Sequence, residues 1–234
     1  MDNQQSLISI TELLKNSWEI YKERFKVFIG IISIPIFIYI LMGIYSVFIN
    51  KIPFFISLPL IFTWIIIVII VGFWSSLALI FAIKDRKENI GIKESFKRGK
   101  PILIPFAWVS FLTAIVLFGG FLLFIIPGII FTIWFLFAPY ILVSEGTKGM
   151  KALFRSKDLV RGKWFQVFWR IIIIFIVFII FFSIISRFLK DFSFISGIIT
   201  FLISPFLTVY YFLLYEDLKR IKNFSEGNTV IKNQ

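Results

Sequence analysis

The stretch that decides the fold is Pro101–Ser144, which reads PILIPFAWVSFLTAIVLFGGFLLFIIPGIIFTIWFLFAPYILVS. It contains no charged residue, and it is about twice as long as the roughly 20 apolar residues that one helix needs to cross a bilayer. Gly119-Gly120 and Pro127-Gly128 lie near its middle, where a tight turn costs least. The stretch therefore predicts two membrane-spanning helices joined by a hairpin, with Pro127 and Gly128 as the structural turn, and the alternative is that this dipeptide shapes a re-entrant element.

Four further stretches without charged residues predict one span each. The six predicted spans cover about residues 27–49, 57–83, 102–124, 128–144, 165–186 and 192–215. Apolar residues make up 59% of the chain and charged residues 16%, whereas globular domains contain roughly 45–50% and about 25%. We therefore predict an all-α polytopic integral membrane protein with a six-helix domain at 27–215. Residues 1–26 are expected to form an amphipathic helix, and 216–234 a polar tail that is a short, fraying helix.

The basic residues predict the orientation of the chain. Of the 25 Lys and Arg residues, 22 fall in the two terminal segments or in the segments that join spans two to three and four to five. Only Lys51, Arg187 and Lys190 fall on the opposite side. Because Lys and Arg concentrate on the cytoplasmic side of membrane proteins, we predict a multi-pass protein of the cell membrane with both termini in the cytoplasm.

Three basic segments show the period of an amphipathic helix. Their apolar faces consist of Ile10, Leu14, Trp18, Tyr21 and Phe25 in the first, Ile92 and Phe96 in the second, and Met150, Leu153, Phe154, Val160 and Trp164 in the third. Ser9 and Glu12 have the spacing of a capping box at the start of the first. Each segment is predicted to lie in the membrane interface and to precede two spans, so that this unit occurs three times.

The basic faces of these segments predict contact with lipid headgroups. The predicted contact residues are Lys97, Arg98, Lys148, Lys151, Arg155 and Lys163. A basic side chain near anionic lipid contributes about 1 kcal/mol, although the same residues could serve only to set orientation. The expected partners are membrane lipids, mainly anionic, and a partner membrane protein or a second copy of the chain. Nucleic acid is not expected, because no folded recognition module is predicted outside the membrane.

Aromatic residues near the predicted span ends are typical of interfacial belts. They are Trp18, Trp164, Trp169, Tyr140, Tyr210, Tyr211 and Tyr215.

The residues available for catalysis are few, because the chain contains neither His nor Cys. This removes imidazole bases, thiolate nucleophiles and the usual zinc ligands. Glu145 and Asp191 are predicted at opposite membrane faces, and Glu145 is expected to be an ion-pair partner of the basic segment that follows it, or a helix-start residue, rather than a proton carrier. Glu216 and Asp217 are adjacent on a helix, so their side chains point about 100° apart. We predict no catalytic, cofactor-binding or metal-binding residue, and no enzymatic activity.

The second half of the chain carries a recognisable pattern. Pro127-Gly128-Ile129 is followed by Ala138-Pro139, Glu145-Gly146 and a segment from Ala152 to Gly162 that contains Arg155-Ser156 and Leu159-Val160. The pattern resembles the bacterial and archaeal family named after the glycerophosphoryl diester phosphodiesterase membrane domain, together with related uncharacterised multi-span families. The resemblance implies a membrane module alone, because the catalytic part of the named enzymes is a separate soluble barrel that contains acidic and His residues.

Two functional hypotheses follow from these patterns. The first is a non-enzymatic membrane module that associates with anionic lipid or with a partner protein. The alternative is a transporter or channel subunit for a lipid or small solute, with its path between the two-span units. A water-lined cavity between spans would favour the alternative, whereas an apolar interior bordered by basic helices would favour the first.

Overall fold

The computed structural model of the chain describes residues 6–49, 52–188 and 193–232. Within these ranges the regular structure is entirely helical. The α-helices are α1 (Ile10–Glu23), α2 (Phe25–Ile49), α3 (Phe54–Lys84), α4 (Ile92–Gly99), α5 (Leu103–Leu123), α6 (Ile125–Phe135), α7 (Ala138–Glu145), α8 (Met150–Val160), α9 (Trp164–Phe188) and α10 (Ser193–Lys232). Three residues used in the sequence predictions, Lys51, Lys190 and Asp191, lie outside the described ranges.

Six segments of the described chain are long and apolar enough to cross a membrane. They are Phe25–Phe48, Phe54–Lys84, Ile92–Leu123, Ile125–Glu145, Trp164–Ile185 and Gly197–Phe224. Large apolar side chains remain exposed along residues 34–48, 54–70, 118–126 and 175–184. Lipid rather than water covers such a continuous apolar surface. The prediction of an all-α, multi-pass membrane protein with six spans is therefore confirmed.

The buried core lies at one end of the helix bundle. It contains Leu77–Ile83 of α3, most of α7, and Val209, Tyr215 and Leu218 of α10. Helices α1, α4 and α8 pack around these segments and carry many of the Lys and Arg residues. We call this part of the molecule, formed by α1, α4, α7, α8, the end of α3 and the second half of α10, the basic end.

The three short basic helices, α1, α4 and α8, precede their spans in the predicted order. One face of each helix packs against other helices of the protein, and the other face is exposed. In α8, Leu153 and Val160 are fully buried, whereas Met150 and Phe154 of the same predicted face are exposed. In α1, Leu13 is buried although it lies outside the predicted apolar face. The predicted cap is confirmed, because the Ser9 hydroxyl accepts a hydrogen bond from the Glu12 amide at 3.2 Å. Placement of these helices in the membrane interface stays a prediction.

The hairpin between spans three and four is confirmed, but its predicted turn is wrong in position. The chain reverses at Phe124, which is extended, and Pro127 and Gly128 lie in the first turn of α6. Proline is tolerated there because the first amides of a helix have no intrahelical acceptor. Gly128 instead allows close packing, since a Cβ built on Gly120 would lie 3.2 Å from the Gly128 Cα.

The fourth span is interrupted between α6 and α7. The break leaves the Trp134 carbonyl and the Phe137 amide close to the buried Ser156 of α8. The Ser156 hydroxyl donates to the Trp134 oxygen at 2.7 Å and accepts from the Phe137 nitrogen at 3.1 Å. One hydroxyl therefore supplies a partner for both backbone groups, as a helix break in an apolar environment requires.

The structure does not separate a C-terminal tail at residue 216. Helix α10 continues from the last span to Lys232. Asp217 and Leu218 are buried in the basic end, so this part of the helix belongs to the packed core. The predicted boundary follows the change in polarity along the sequence, whereas the helix itself continues through it.

Candidate functional site at the basic end

The Glu145 carboxylate lies at the centre of a polar cluster. Glu145 is the last residue of α7, which ends there because Gly146 takes the left-handed conformation at φ 70°. The Tyr215 hydroxyl donates to Oε1 at 2.8 Å, and Lys219 Nζ lies 3.1 Å from the same oxygen. Arg155 Nε lies 3.3 Å from Oε2. The predicted role of Glu145 as an ion-pair partner is confirmed, and the carboxylate joins α7, α8 and α10.

A second carboxylate, that of Asp158, extends this cluster along α8. Its Oδ2 lies 3.4 Å from Arg155 NH1, and its Oδ1 lies 3.1 Å from Lys222 Nζ. Arg155 therefore bridges two carboxylates and is only partly exposed. Its guanidinium is held within the protein rather than directed at a headgroup.

Two more arginines connect the loop after α3 to neighbouring helices. Arg86 makes a two-pronged ion pair with Glu216 of α10, with N–O distances of 2.9 and 3.2 Å. Arg98 of α4 pairs with Asp85, with Glu88 at 2.7 Å and with Glu94 at 3.3 Å. Arg98, like Arg155, was predicted to contact lipid, but three carboxylates occupy its guanidinium.

The segment that precedes α1 is held by polar contacts to both α9 and α10. The Ile8 amide donates to Asp217 Oδ2 at 2.8 Å. Arg170 donates to the Leu7 and Ile8 carbonyls at 3.3 and 2.6 Å. The Tyr210 hydroxyl donates to the Arg170 carbonyl at 3.0 Å. These bonds fix the start of α1 against the last two spans.

Arg24 fixes the other end of α1. It is buried, and its guanidinium donates to the Asn89 side chain at 2.8 Å and to the Ile90 carbonyl. Burial lowers the pKa of Arg24, and the nearby charge of Glu23 opposes that shift. Since an arginine pKa remains far above neutrality, the group stays charged and links α1 to the loop between α3 and α4.

The remaining predicted lipid-contact residues lie on the outer surface. Lys97, Lys148 and Lys151 are exposed, and Lys97 also lies 3.9 Å from Glu94. Lys163 is partly buried and lines a cavity of about 260 Å³ with Arg161 and Lys222. The lipid-contact prediction stays a prediction for these four lysines, whereas Arg98 and Arg155 have protein partners.

The sequence patterns do not identify Ser156 as part of the site, and they suggest the wrong role for Tyr210 and Tyr215. Tyr210 and Tyr215 were assigned to interfacial belts, but both are almost completely buried in protein and serve as hydrogen-bond donors. Ser156 was missed, although it lies three residues after Leu153 and four before Val160. That spacing places it on the buried face of α8 and could have identified it.

The adjacent carboxylates of Glu216 and Asp217 have different partners and do not converge on a common point. Glu216 pairs with Arg86, whereas the adjacent Asp217 binds Arg220 and the Ile8 amide. Within the residues that the structure describes, no group of three acidic side chains is arranged to hold a metal ion. The arrangement therefore joins helices through ion pairs.

Apolar cavities border the spanning helices within the described part of the chain. One, of about 510 Å³, lies between α1, the start of α2, α9 and α10, and another, of about 170 Å³, lies between α2 and α3. Both are lined by aliphatic and aromatic side chains. Such linings suit apolar groups and not a hydrated solute.

The fold and the basic end together define a polytopic, all-α membrane protein. Comparisons with protein-family models, with curated proteins and with solved structures found no match to the chain. The resemblance to the membrane-domain family therefore stays a prediction.

Proposed function

We propose that the protein is a non-enzymatic membrane module whose basic end lies in the cytoplasm and binds anionic lipid. The observation that carries this proposal is the unequal use of charge at the basic end. Apart from Glu12, Glu19 and Glu23 of α1, which are exposed, the acidic side chains described at the basic end form ion pairs, whereas several lysines point outward.

Seven carboxylates of the described residues form ion pairs with Lys or Arg side chains. Those engaged in ion pairs are Asp85, Glu88, Glu94, Glu145, Asp158, Glu216 and Asp217. Lys151 is exposed on α8 and Lys148 is exposed just before that helix, and within the described residues no carboxylate pairs with either. The outer surface of α8 is therefore positively charged, and each such lysine near anionic lipid contributes about 1 kcal/mol.

The cavities between the spans support the lipid-binding function over the alternative of a transporter or channel subunit. A path for a small solute needs polar side chains or water along it. Helices α9 and α10, which border the larger cavity, contribute only apolar side chains to its lining. A partner protein at the basic end remains compatible with this function, since the same lysines would attract an acidic surface.

The test replaces Lys97, Lys148 and Lys151 together with Gln. The purified variant should retain less phosphatidylglycerol and cardiolipin than the native protein, with the larger loss at low salt, where screening is weakest. The matched control replaces the same three lysines with Arg, which preserves charge and should preserve retention. Equal retention by the Gln variant would overturn the proposal, and an acidic protein recovered in place of lipid would assign the surface to that partner.

A further inference from the structure

The larger apolar cavity is a groove with three walls. It is bounded by Trp18 of α1, Phe25 at the start of α2, Val177 and Phe181 of α9, and Leu202 and Phe206 of α10, and it has a volume of about 510 Å³. Binding sites for small organic ligands have volumes of about 300–1,000 Å³. The groove is therefore larger than a packing defect and has room for a ligand.

The groove opens towards the lipid-facing side of the bundle. Trp18, Phe25, Val177 and Phe181 are each about half exposed, at 51, 46, 49 and 43%. The hydroxyl of Tyr21, which also borders the groove, donates to the Leu202 carbonyl at 2.9 Å and so has a partner within the protein. The walls therefore offer contacts to apolar groups, and the Tyr21 hydroxyl does not require a partner from the occupant of the groove.

The shape of the possible apolar occupants that a bilayer provides decides between them. A packed helix is a rigid cylinder about 10–12 Å across and cannot adapt to the three walls of the groove. A helix of a second copy would therefore rest on the rim without filling the interior. A lipid acyl chain is much narrower and flexible, and it is always present at this depth of the membrane.

A cation lies at the rim of the groove, on the polar face of α1. Lys22 Nζ lies 6.0 Å from the centre of the Trp18 ring, and the Lys22 side chain is exposed. Every phospholipid carries a phosphate at the boundary between its chains and water. We propose that the groove holds one acyl chain of a bilayer phospholipid, whose phosphate lies beside Lys22. This site differs from the lysines of α4 and α8 and does not depend on an anionic headgroup.

The experiment uses the full chain in nanodiscs made of phosphatidylcholine, with a small fraction carrying a diazirine in the middle of one acyl chain. After illumination, mass spectrometry locates the adducts along the chain. Adducts should be several-fold more frequent on the walls of the groove than on the outer face of α9 around Ile176. An even distribution over all lipid-facing helices would indicate surrounding lipid only and would overturn the proposal.

Two variants make the test specific. Val177→Trp fills the groove and should abolish the groove adducts, whereas Ile176→Trp changes the neighbouring lipid-facing position and should leave them unchanged. Ile203→Trp fills the groove from α10 and serves if Val177→Trp does not fold. Persistence of the groove adducts in a folded filled variant would overturn the site. Because phosphatidylcholine has no net charge, the result does not depend on the lysines of the proposed function.

Discussion

The Tyr215 hydroxyl of α10 lies 2.8 Å from Oε1 of Glu145, the last residue of α7. Lys219, one turn further along α10, lies 3.1 Å from the same oxygen. The carboxylate is largely enclosed, with 16% of its side chain exposed. Two residues of one helix therefore hold the end of another, and this contact fixes the broken fourth span against the sixth.

Tyr215→Phe should destabilise the protein by about 1–3 kcal/mol, because it removes a hydrogen bond to a charged and largely buried group. The free energy of unfolding, measured in detergent by denaturant titration, checks this. Tyr211→Phe is the control, since no hydrogen bond from its hydroxyl is among the contacts of the described residues and its side chain is only partly buried. A smaller loss for Tyr215→Phe than for Tyr211→Phe would contradict the assignment.

The same pair can be tested by a double-mutant cycle. Combining Tyr215→Phe with Glu145→Gln should cost less than the sum of the two single changes, because each change removes the same contact. Additive costs would show that Tyr215 stabilises the protein through packing alone.

Ser156→Ala tests whether the hydrogen bonds of Ser156 stabilise the helix break between α6 and α7. The change leaves the Trp134 carbonyl and the Phe137 amide without their partner in a buried site, which should cost about 1–3 kcal/mol for each unsatisfied group. The matched control is Ser17→Ala, another fully buried serine, whose hydroxyl donates at 2.6 Å to a carbonyl of its own helix four residues earlier. Thermal unfolding in detergent should separate the two variants, and equal unfolding temperatures would exclude the proposed role of Ser156.

Adjacent glycines in α5 provide a test of the hairpin packing. A Cβ at Gly120 would lie 2.7 Å from Phe131 Cδ2 and 3.2 Å from the Gly128 backbone, whereas a Cβ at Gly119 meets nothing within 4 Å. Gly120→Ala should therefore destabilise the protein by about 1–3 kcal/mol through overpacking. Gly119→Ala should be neutral or slightly stabilising, because Ala favours helix more than Gly does. The reverse order of unfolding free energies would show that α5 and α6 do not pack as described.

The sequence predicted the class of fold well because the relevant signal is one-dimensional. Charge-free stretches of sufficient length locate the spans, and the excess length of Pro101–Ser144 requires a reversal whatever its details. The position of that reversal depended on tertiary packing. Pro127-Gly128 has the composition of a turn, but Gly128 is used for contact with α5, and the chain turns at Phe124 instead.

The site was harder to predict for a related reason. Arg155, Lys148 and Lys151 look alike in a basic segment, and only the fold shows that Arg155 faces Glu145 and Asp158 while the two lysines face outward. Likewise, Tyr215 near a span end is typical of an interfacial belt. The continuation of α10 beyond the membrane segment buries it, and the polarity of the following residues does not reveal that continuation.

Two basic residues on either side of the fifth span provide a test of the predicted orientation of the chain. Lys151 lies on α8, just before α9, and Arg187 lies in the last turn of α9, whose 25 residues extend about 37 Å. Because 22 of the 25 basic residues fall on the side of Lys151, that side should be cytoplasmic. The native chain has no Cys, so Lys151→Cys and Arg187→Cys are matched single-cysteine variants, each losing one exposed positive charge. A maleimide that cannot cross membranes, added outside intact cells, should label the cysteine at 187 and should label the one at 151 only after permeabilisation. Labelling at 151 in intact cells would show that the orientation is the reverse of the predicted one, with the proposed lipid-binding lysines on the outer face of the membrane.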